Sequence, residues 1–369
     1  MAPLGVVVVG QTPPPFGGQA MVIKLLMEGS YRDVRLSLVR MGFSREMPEI
    51  GRLSIRKLLM LPALIARIAH ARLKTGAQVL FYPPSSLERI GLYRDIVVLL
   101  ATRWMFRRTV YHFLSGGISE HYPKLSAPVR LLVRAAMFEP DVAVRTSEHA
   151  PPDPAAVRAE REVLLHNPVQ DIPESVMRNP PPKDDPPMVL YAAVLRESKG
   201  VLDLLEACAR ARDKGARLKV MVLGHSASEE MDRRIARLIA ERQLADIVHL
   251  AGVITGDALH EMYARASVFC FPSYFETEAL PLVVVQALQH SLPVVATRWR
   301  GIPSLVVDGD NGYLVEPRNV ENLACRLAEL LDDPALRARM GASGHRRHVE
   351  RFTLSAFHAG MQRVFDELR

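Results

Sequence analysis

The chain has 369 residues, of which 49% are hydrophobic and 24% charged, with a formal net charge of +7. That composition is globular, and the length suggests two domains. Cys208, Cys270 and Cys325 are far apart and form no CxxC, which argues against a disulfide framework or a zinc site and suits a reducing cytosol. No apolar run reaches the ~18 residues of a spanning helix.

The start, MAPLGVVVVGQT, lacks a basic leading region, so it reads as a first strand and not as a signal peptide. Short β-branched runs then alternate with helical stretches. Strands are predicted at Val6–Val9, Val34–Leu38, Gln78–Tyr82, Thr109–Phe113, Asp141–Val144 and Val163–His166. Helices are predicted from about Gly18, Leu53, Leu87 and Leu125. Fully apolar strands between helices indicate a parallel sheet covered on both faces.

The proline-dense segment 167–187 reads as a linker. Strands are then predicted at Met188–Val194, Lys219–Leu223, Ile247–Gly252, Ser267–Pro272 and Pro293–Thr297, with a nearly all-helical tail from Val320. The organisation is α/β: a doubly wound domain over 1–166, a linker, a second over 188–352, and a C-terminal helix over 353–369 that returns to the first. In such sheets ligands bind at the carboxyl ends of strands.

Residues 1–165 hold 22 Lys and Arg against 13 Asp and Glu, whereas the remainder holds 25 against 27. A basic first half suits nucleic acid, anionic lipid or a diphosphate-bearing substrate. Two basic stretches with apolar bodies stand out, Gly51–Lys74 and TRWMFRR at Thr102–Arg108. They fit peripheral contact with anionic lipid, or helices that pack on the sheet and display a solvated basic face.

The stretch PSYFETEALPLVVVQAL, Pro272–Leu288, carries the most specific signal. It reads as a loop at a strand's carboxyl end followed by a helix over Leu280–His290, with Pro281 near its first position. Free amides of residues 280–283 suit an anion, and Glu278 and Gln286 can grip hydroxyls on either side. The alternative is a carboxylate favoured by the helix dipole and a chance polar residue.

With LRESKG (Leu195–Gly200), VMVLGHS (Val220–Ser226), HLAGVITGDAL (His249–Leu259) and LPVVATRWRGIPSLVVDGDNGYLVEP (Leu292–Pro317), this stretch resembles the retaining, nucleotide-sugar-dependent glycosyltransferases of family 4. The resemblance covers most of the second half. It implies the GT-B fold, two Rossmann-like domains facing across a cleft.

By position, the resemblance assigns Glu278 to the donor sugar's hydroxyls, and Ala279, Leu280, Leu282 and Val283 to backbone contacts with sugar and phosphates. Gln286 stands where the family usually has a second glutamate that holds the ribose. Lys199 matches the lysine that neutralises the leaving diphosphate, and Arg196 is the nearby cation where the family's arginine position holds Val194. Gly17 and Gly18 in PPPFGGQA match the glycine-rich loop facing the phosphates, and His112 matches a histidine beside the reacting centre.

The implied activity is transfer of a sugar from a nucleotide sugar, UDP-linked by family default, to a glycan or lipid-linked acceptor in surface polysaccharide or glycolipid synthesis. No cofactor or nucleic-acid partner is expected, and no catalytic metal, the last because Asp308-Gly309-Asp310, the only D-x-D, reads as turn chemistry. The expected location is cytoplasmic, peripheral at the inner membrane face. A GT-B sugar-nucleotide epimerase and a membrane-associated binding protein with a decayed site are the alternatives; Val194 and Gln286 favour the latter.

Overall fold

The computed structural model describes residues 2–14, 16–43, 55–86 and 89–369. Pro15 of the glycine-rich loop, residues 51–54 of the first basic stretch, and Leu53 and Leu87, where two helices are predicted to start, lie outside the described residues. The chain forms two compact units. The first comprises Met1–Val169, Thr277–Leu280 and Leu354–Arg369, and the second Gln170–Glu276 and Pro281–Thr353.

In the first unit the elements run β1 Leu4–Gly10, α1 Gly18–Glu28, β2 Val34–Arg40, α2 Ile55–Thr75, β3 Val79–Tyr82, α3 Arg89–Thr102, β4 Arg108–Phe113, α4 Ile118–His121, α5 Ala127–Met137, β5 Val142–Arg145, α6 Asp153–Ala156 and β6 Arg161–Leu164. All six strands are parallel in the order β2-β1-β3-β4-β5-β6. The last begins two residues earlier than its apolar run suggests.

Strand alternation divides this sheet's core in two. Val7, Val9, Leu80, Tyr82, Tyr111 and Ala143 face the helices α2, α3 and α5, where Leu64, Ile68, Leu92, Ile96, Val133 and Met137 meet them. The opposite set includes Phe81 and His112, and a helix from far along the chain, α14 Leu354–Asp366, packs there. Its Phe357 ring stacks on His112 with centroids 6.3 Å apart, and Phe365 meets Tyr31 edge-on at 5.2 Å. His358 Nε2 reaches the Leu25 carbonyl at 2.9 Å, and Gln362 accepts from the Arg32 amide at 2.6 Å.

The second unit runs α7 Glu174–Arg178, β7 Met188–Ala192, α8 Val201–Asp213, β8 Lys219–Leu223, α9 Glu229–Glu241, β9 Val248–Gly252, α10 Asp257–Arg265, β10 Val268–Phe271, α11 Leu282–Gln289, β11 Val294–Thr297, β12 Gly312–Val315, α12 Val320–Asp332 and α13 Pro334–Arg351. Its sheet is also parallel, in the order β12-β11-β10-β7-β8-β9.

β12 is absent from the sequence reading. GYLV has a single β-branched residue and follows a turn, so periodicity does not mark it. Close approach does: a Cβ on Gly312 would lie 2.0 Å from the Val294 carbonyl oxygen. The proline-rich segment also holds a short helix, α7, where a featureless linker is predicted.

Strand order reverses between β1 and β3 in the first sheet and between β7 and β10 in the second. Ligands of open α/β sheets gather outside the carboxyl ends of the strands at such reversals. The loops leaving β7 and β10 carry Lys199 and the Pro272–Leu288 stretch. The loop leaving β1 carries Gly17 and Gly18.

Candidate functional site

In the second unit, the loop after β7 folds into a 3-10 turn, Glu197–Lys199, that ends at Gly200 with φ +80°. A Cβ on Gly200 would lie 2.2 Å from the Pro272 carbonyl oxygen, so only glycine permits both this backbone and this approach. The turn is thereby pressed onto the loop leaving β10. The Tyr274 amide donates to the Ser198 carbonyl at 2.8 Å, and the Tyr191 hydroxyl donates to the Lys199 carbonyl at 3.1 Å.

A second glycine does the same one loop away. Gly224, at φ +131°, would place a Cβ 1.8 Å from the Ala193 carbonyl oxygen. The Leu195 amide bonds the His225 carbonyl at 2.9 Å, and the Ala227 amide bonds the Leu195 carbonyl at 2.9 Å. Three consecutive loops are thus tied edge to edge.

Two cations converge on one ring in this frame. Lys199 Nζ stands 4.4 Å from the centroid of Phe275 and 5.7 Å from that of Phe271, and the Arg196 guanidinium carbon lies 5.3 Å from the Phe275 centroid. A ring face attracts positive charge by its quadrupole. Phe275 itself is fixed, because its carbonyl accepts from Trp299 Nε1 at 2.8 Å and its amide donates to Ser273 Oγ at 3.3 Å. Phe275 and Trp299 are the site residues that the sequence reading passes over. The available signal was an aromatic residue inside a polar loop at a strand's carboxyl end.

The helix start differs from expectation. α11 begins at Leu282, and Pro281, with φ −71° and ψ 112°, is its cap and not its first helical residue. A residue before proline is disfavoured in helical backbone, which keeps Leu280 outside. Of the amides expected at 280–283, only those of Leu282 and Val283 head the helix; Val284 and Val285 already donate to the Pro281 carbonyl. Gln286 lies one turn further on, half-buried, in the same unit as Lys199 and Arg196.

The other predicted residues fall in the first unit. Glu278, Ala279 and Leu280 are buried, at 8%, 3% and 5% exposure, and the carbonyl of the preceding Thr277 accepts from the Gly116 amide at 3.3 Å. Gly17 caps α1 and Gly18 opens it. Gln19 in the first turn donates to the Pro83 carbonyl at 3.4 Å, linking the β1 and β3 loops.

His112 is buried. It is the penultimate residue of β4, at the strand's carboxyl end as predicted, and alternation turns its ring into the core between Phe81 and Phe357. It is fully buried, and neither ring nitrogen makes a hydrogen bond among the described residues. Burial pushes its pKa down to about 3, opposed only by the nearby Asn167 amide, so the ring is neutral.

Asp308 and Asp310 are occupied as turn residues. Asp308 accepts from the Leu314 amide at 3.0 Å and from Arg298 at 3.2 Å, and Asp310 accepts from Ser343 Oγ at 2.8 Å. Among the described residues no group of three or more His, Cys, Asp and Glu side chains is arranged to hold a metal, and no helix is long and apolar enough to cross a membrane.

Histidines gather elsewhere in the second unit. His260 Nδ1 and His290 Nε2 are 3.0 Å apart, and the His345 and His348 rings stack at 6.2 Å. Burial holds His290 near a pKa of about 3 and His348 near about 4.

Residues 174–347 match the family described as glycosyl transferases group 1. The MMP alpha-(1->4)-mannosyltransferase of Mycolicibacterium hassiacum is 34% identical over 171 residues, 46% of this chain and 40% of that protein. This chain matches less than half the length of each of the curated relatives compared. Among solved structures, the sucrose-phosphate synthase of Thermosynechococcus elongatus superposes with a TM-score of 0.75 over 99% of both chains at 19% identity. Anabaena HepE in complex with UDP gives 0.72 over 99% of this chain and 100% of that one at 17%. These likenesses, with the two parallel sheets, establish a two-domain GT-B fold.

Proposed function

We propose that this protein is a retaining glycosyltransferase that moves a sugar from a UDP-linked donor to a glycan or lipid-linked acceptor in surface polysaccharide or glycolipid synthesis. The observation that carries the reading is the pair of cations, Lys199 and Arg196, held on Phe275 where the second sheet reverses its strand order. The group 1 family match over this segment and the UDP bound by Anabaena HepE support it.

As the bond to the sugar breaks, negative charge grows on the departing diphosphate. Fixed positive charge that needs no rearrangement stabilises that state more than water does. Lys199 and Arg196 supply the charge, and the leading amides of α11 at Leu282 and Val283 supply a dipole. Glu278 and Gln286 hold donor hydroxyls. Gln286 brings no charge and adds amide donors where a carboxylate would only accept, so ribose binding by this residue is independent of pH. Gly17 and Gly18 let the backbone of the β1 loop approach phosphate oxygens. The reaction needs no metal and no cofactor; the diphosphate assists deprotonation of the acceptor on the face it leaves.

The test is incubation with a panel of UDP-, GDP- and ADP-sugars, followed for transfer, hydrolysis and isomerisation. The reading expects transfer or slow hydrolysis of one UDP-sugar. Isomerised sugar nucleotide would identify an epimerase, and no stabilisation by any nucleoside diphosphate would identify a decayed site.

A further inference from the structure

The three helices on one face of the first sheet leave an unusual outer surface. On α3 the exposed residues are Tyr93, Val97 and Leu100, spaced at i, i+4 and i+7, and Trp104 continues the line with 78% exposure. A surface helix ordinarily turns polar side chains outward; among the described side chains of α3, the exposed ones are Tyr93, Val97 and Leu100. The Trp104 N–H is satisfied by the Ala101 carbonyl at 3.0 Å, which leaves the ring itself uncovered. Beside it, α5 exposes Leu131 and Leu132, and α2 exposes Leu59 and Leu73.

The charge around this stripe is predominantly positive. Segments 55–75 and 127–137 contain no Asp or Glu, and α3 contains only Asp95. Asp95 is fully buried and taken by Arg94, the Tyr82 hydroxyl and Ser85. Arg67, Lys74, Arg107, Arg130 and Arg134 are exposed and have no carboxylate partner among the described residues. The carboxylates nearby are Glu120 on α4, before α5, and Glu139 and Asp141 after it; Asp141 lies in the same cavity as Leu100, Trp104 and Arg107, and Arg108 holds it at 2.7 Å. On α9 of the second unit, by contrast, Arg233, Arg234 and Arg237 all pair with acids.

We infer that the outer face of α2, α3 and α5 docks on an anionic lipid bilayer, with Tyr93, Val97, Leu100, Trp104 and Leu131 entering the headgroup region and the unpaired arginines binding lipid phosphates. The charge selects this occupant. A second copy would oppose cation to cation, whereas an anionic surface neutralises every one of them. An apolar stripe rimmed by cations and tipped by tryptophan is the chemistry of an interfacial element that lies on a membrane without crossing it. The inference does not depend on the donor chemistry, and its test requires no catalysis.

The experiment is co-sedimentation of the full chain with vesicles of phosphatidylcholine, and with vesicles in which one lipid in three is phosphatidylglycerol. The protein partitions onto the second kind and not the first, and added salt weakens the binding. Arg130→Ala and Arg134→Ala each lower the partition about fivefold. The double variant Leu100→Gln/Leu131→Gln lowers it at least about tenfold. Leu250→Gln and Val253→Gln, exposed apolar residues of the second unit, leave it unchanged. The altered residues are all exposed, so the melting temperature should hold. Absence of binding to the anionic vesicles overturns the inference, as does binding that the α3 and α5 variants leave intact. A lipid-free dimer that Leu100→Gln/Leu131→Gln dissociates would assign the face to a second copy instead.

Discussion

The Lys199 ammonium stands 4.4 Å above the centre of the Phe275 ring, and Phe275 is in turn held through its carbonyl by the Trp299 indole. The ring thus acts as a seat that fixes where the charge can be. Lys199→Ala should lower kcat by about 10²- to 10³-fold, the scale for losing one electrostatic stabiliser of a transition state. Phe275→Leu keeps the charge but unseats it, and should cost several-fold in kcat with little change in KM. Steady-state kinetics with the accepted UDP-sugar distinguish the two. Wild-type turnover in Lys199→Ala would remove that residue from the mechanism.

Gly200→Ala should be among the most damaging small substitutions. It meets the Pro272 carbonyl at 2.2 Å and forces an L side chain into left-handed backbone at φ +80°. The expected loss is about 2 kcal/mol or more of stability, read as a lowered melting temperature. Gly215→Ala shares the positive φ but meets nothing within 4 Å. It should cost only the conformational part, about 1 kcal/mol.

Acid should weaken the fold through its histidines. His112, His290 and His348 are held neutral by burial, at about 3, about 3 and about 4, against an unfolded value near 6.5. Below about pH 6.5 the unfolded chain takes up protons that the folded chain refuses. Stability is therefore complete above that pH and falls as pH drops toward the folded values, at up to about 1.4 kcal/mol per pH unit for each histidine. Thermal melts from pH 7.5 to 5 measure the slope. His112→Leu should flatten it.

The same variant tests the placement of His112. A neutral ring packed between Phe81 and Phe357 is replaceable by leucine. His112→Leu should therefore retain transfer within a few-fold. A loss of kcat comparable to that of Lys199→Ala, in a stably folded variant, would return His112 to the reacting centre.

Chelation should be silent. Lys199 and Arg196 supply positive charge, and the carboxylates of Asp308 and Asp310 are engaged by Leu314, Arg298 and Ser343. Transfer assayed with and without excess EDTA should agree, and restoration by magnesium of an EDTA-inhibited reaction would refute this.

The alternation of apolar runs with helical stretches made most of both sheets legible, because the buried parallel strands are short valine-rich apolar runs such as VVVV, VLFY and VFCF. What escaped depends on tertiary contact. β12 is a strand because Gly312 lies against Val294, and no local pattern announces that. Pro281 was legible as a helix-start residue, but its position as cap or first residue depends on the conformation of Leu280. His112 was placed by its proximity to a strand end, and β4 does stop at Phe113; the ring packs inward because Phe357, from far along the chain, stacks on it. Phe275 was invisible as a seat because its partners, Lys199 and Trp299, come from two other loops.

The return of α14 has a consequence for synthesis. The second unit is fully translated while the first still lacks Phe357, Met361 and Phe365, which close one side of its sheet. Until the ribosome delivers residues 354–369, His112 lacks the Phe357 ring that stacks on it. The unit begun earliest is therefore completed last, and neither unit corresponds to a single uninterrupted piece of the gene.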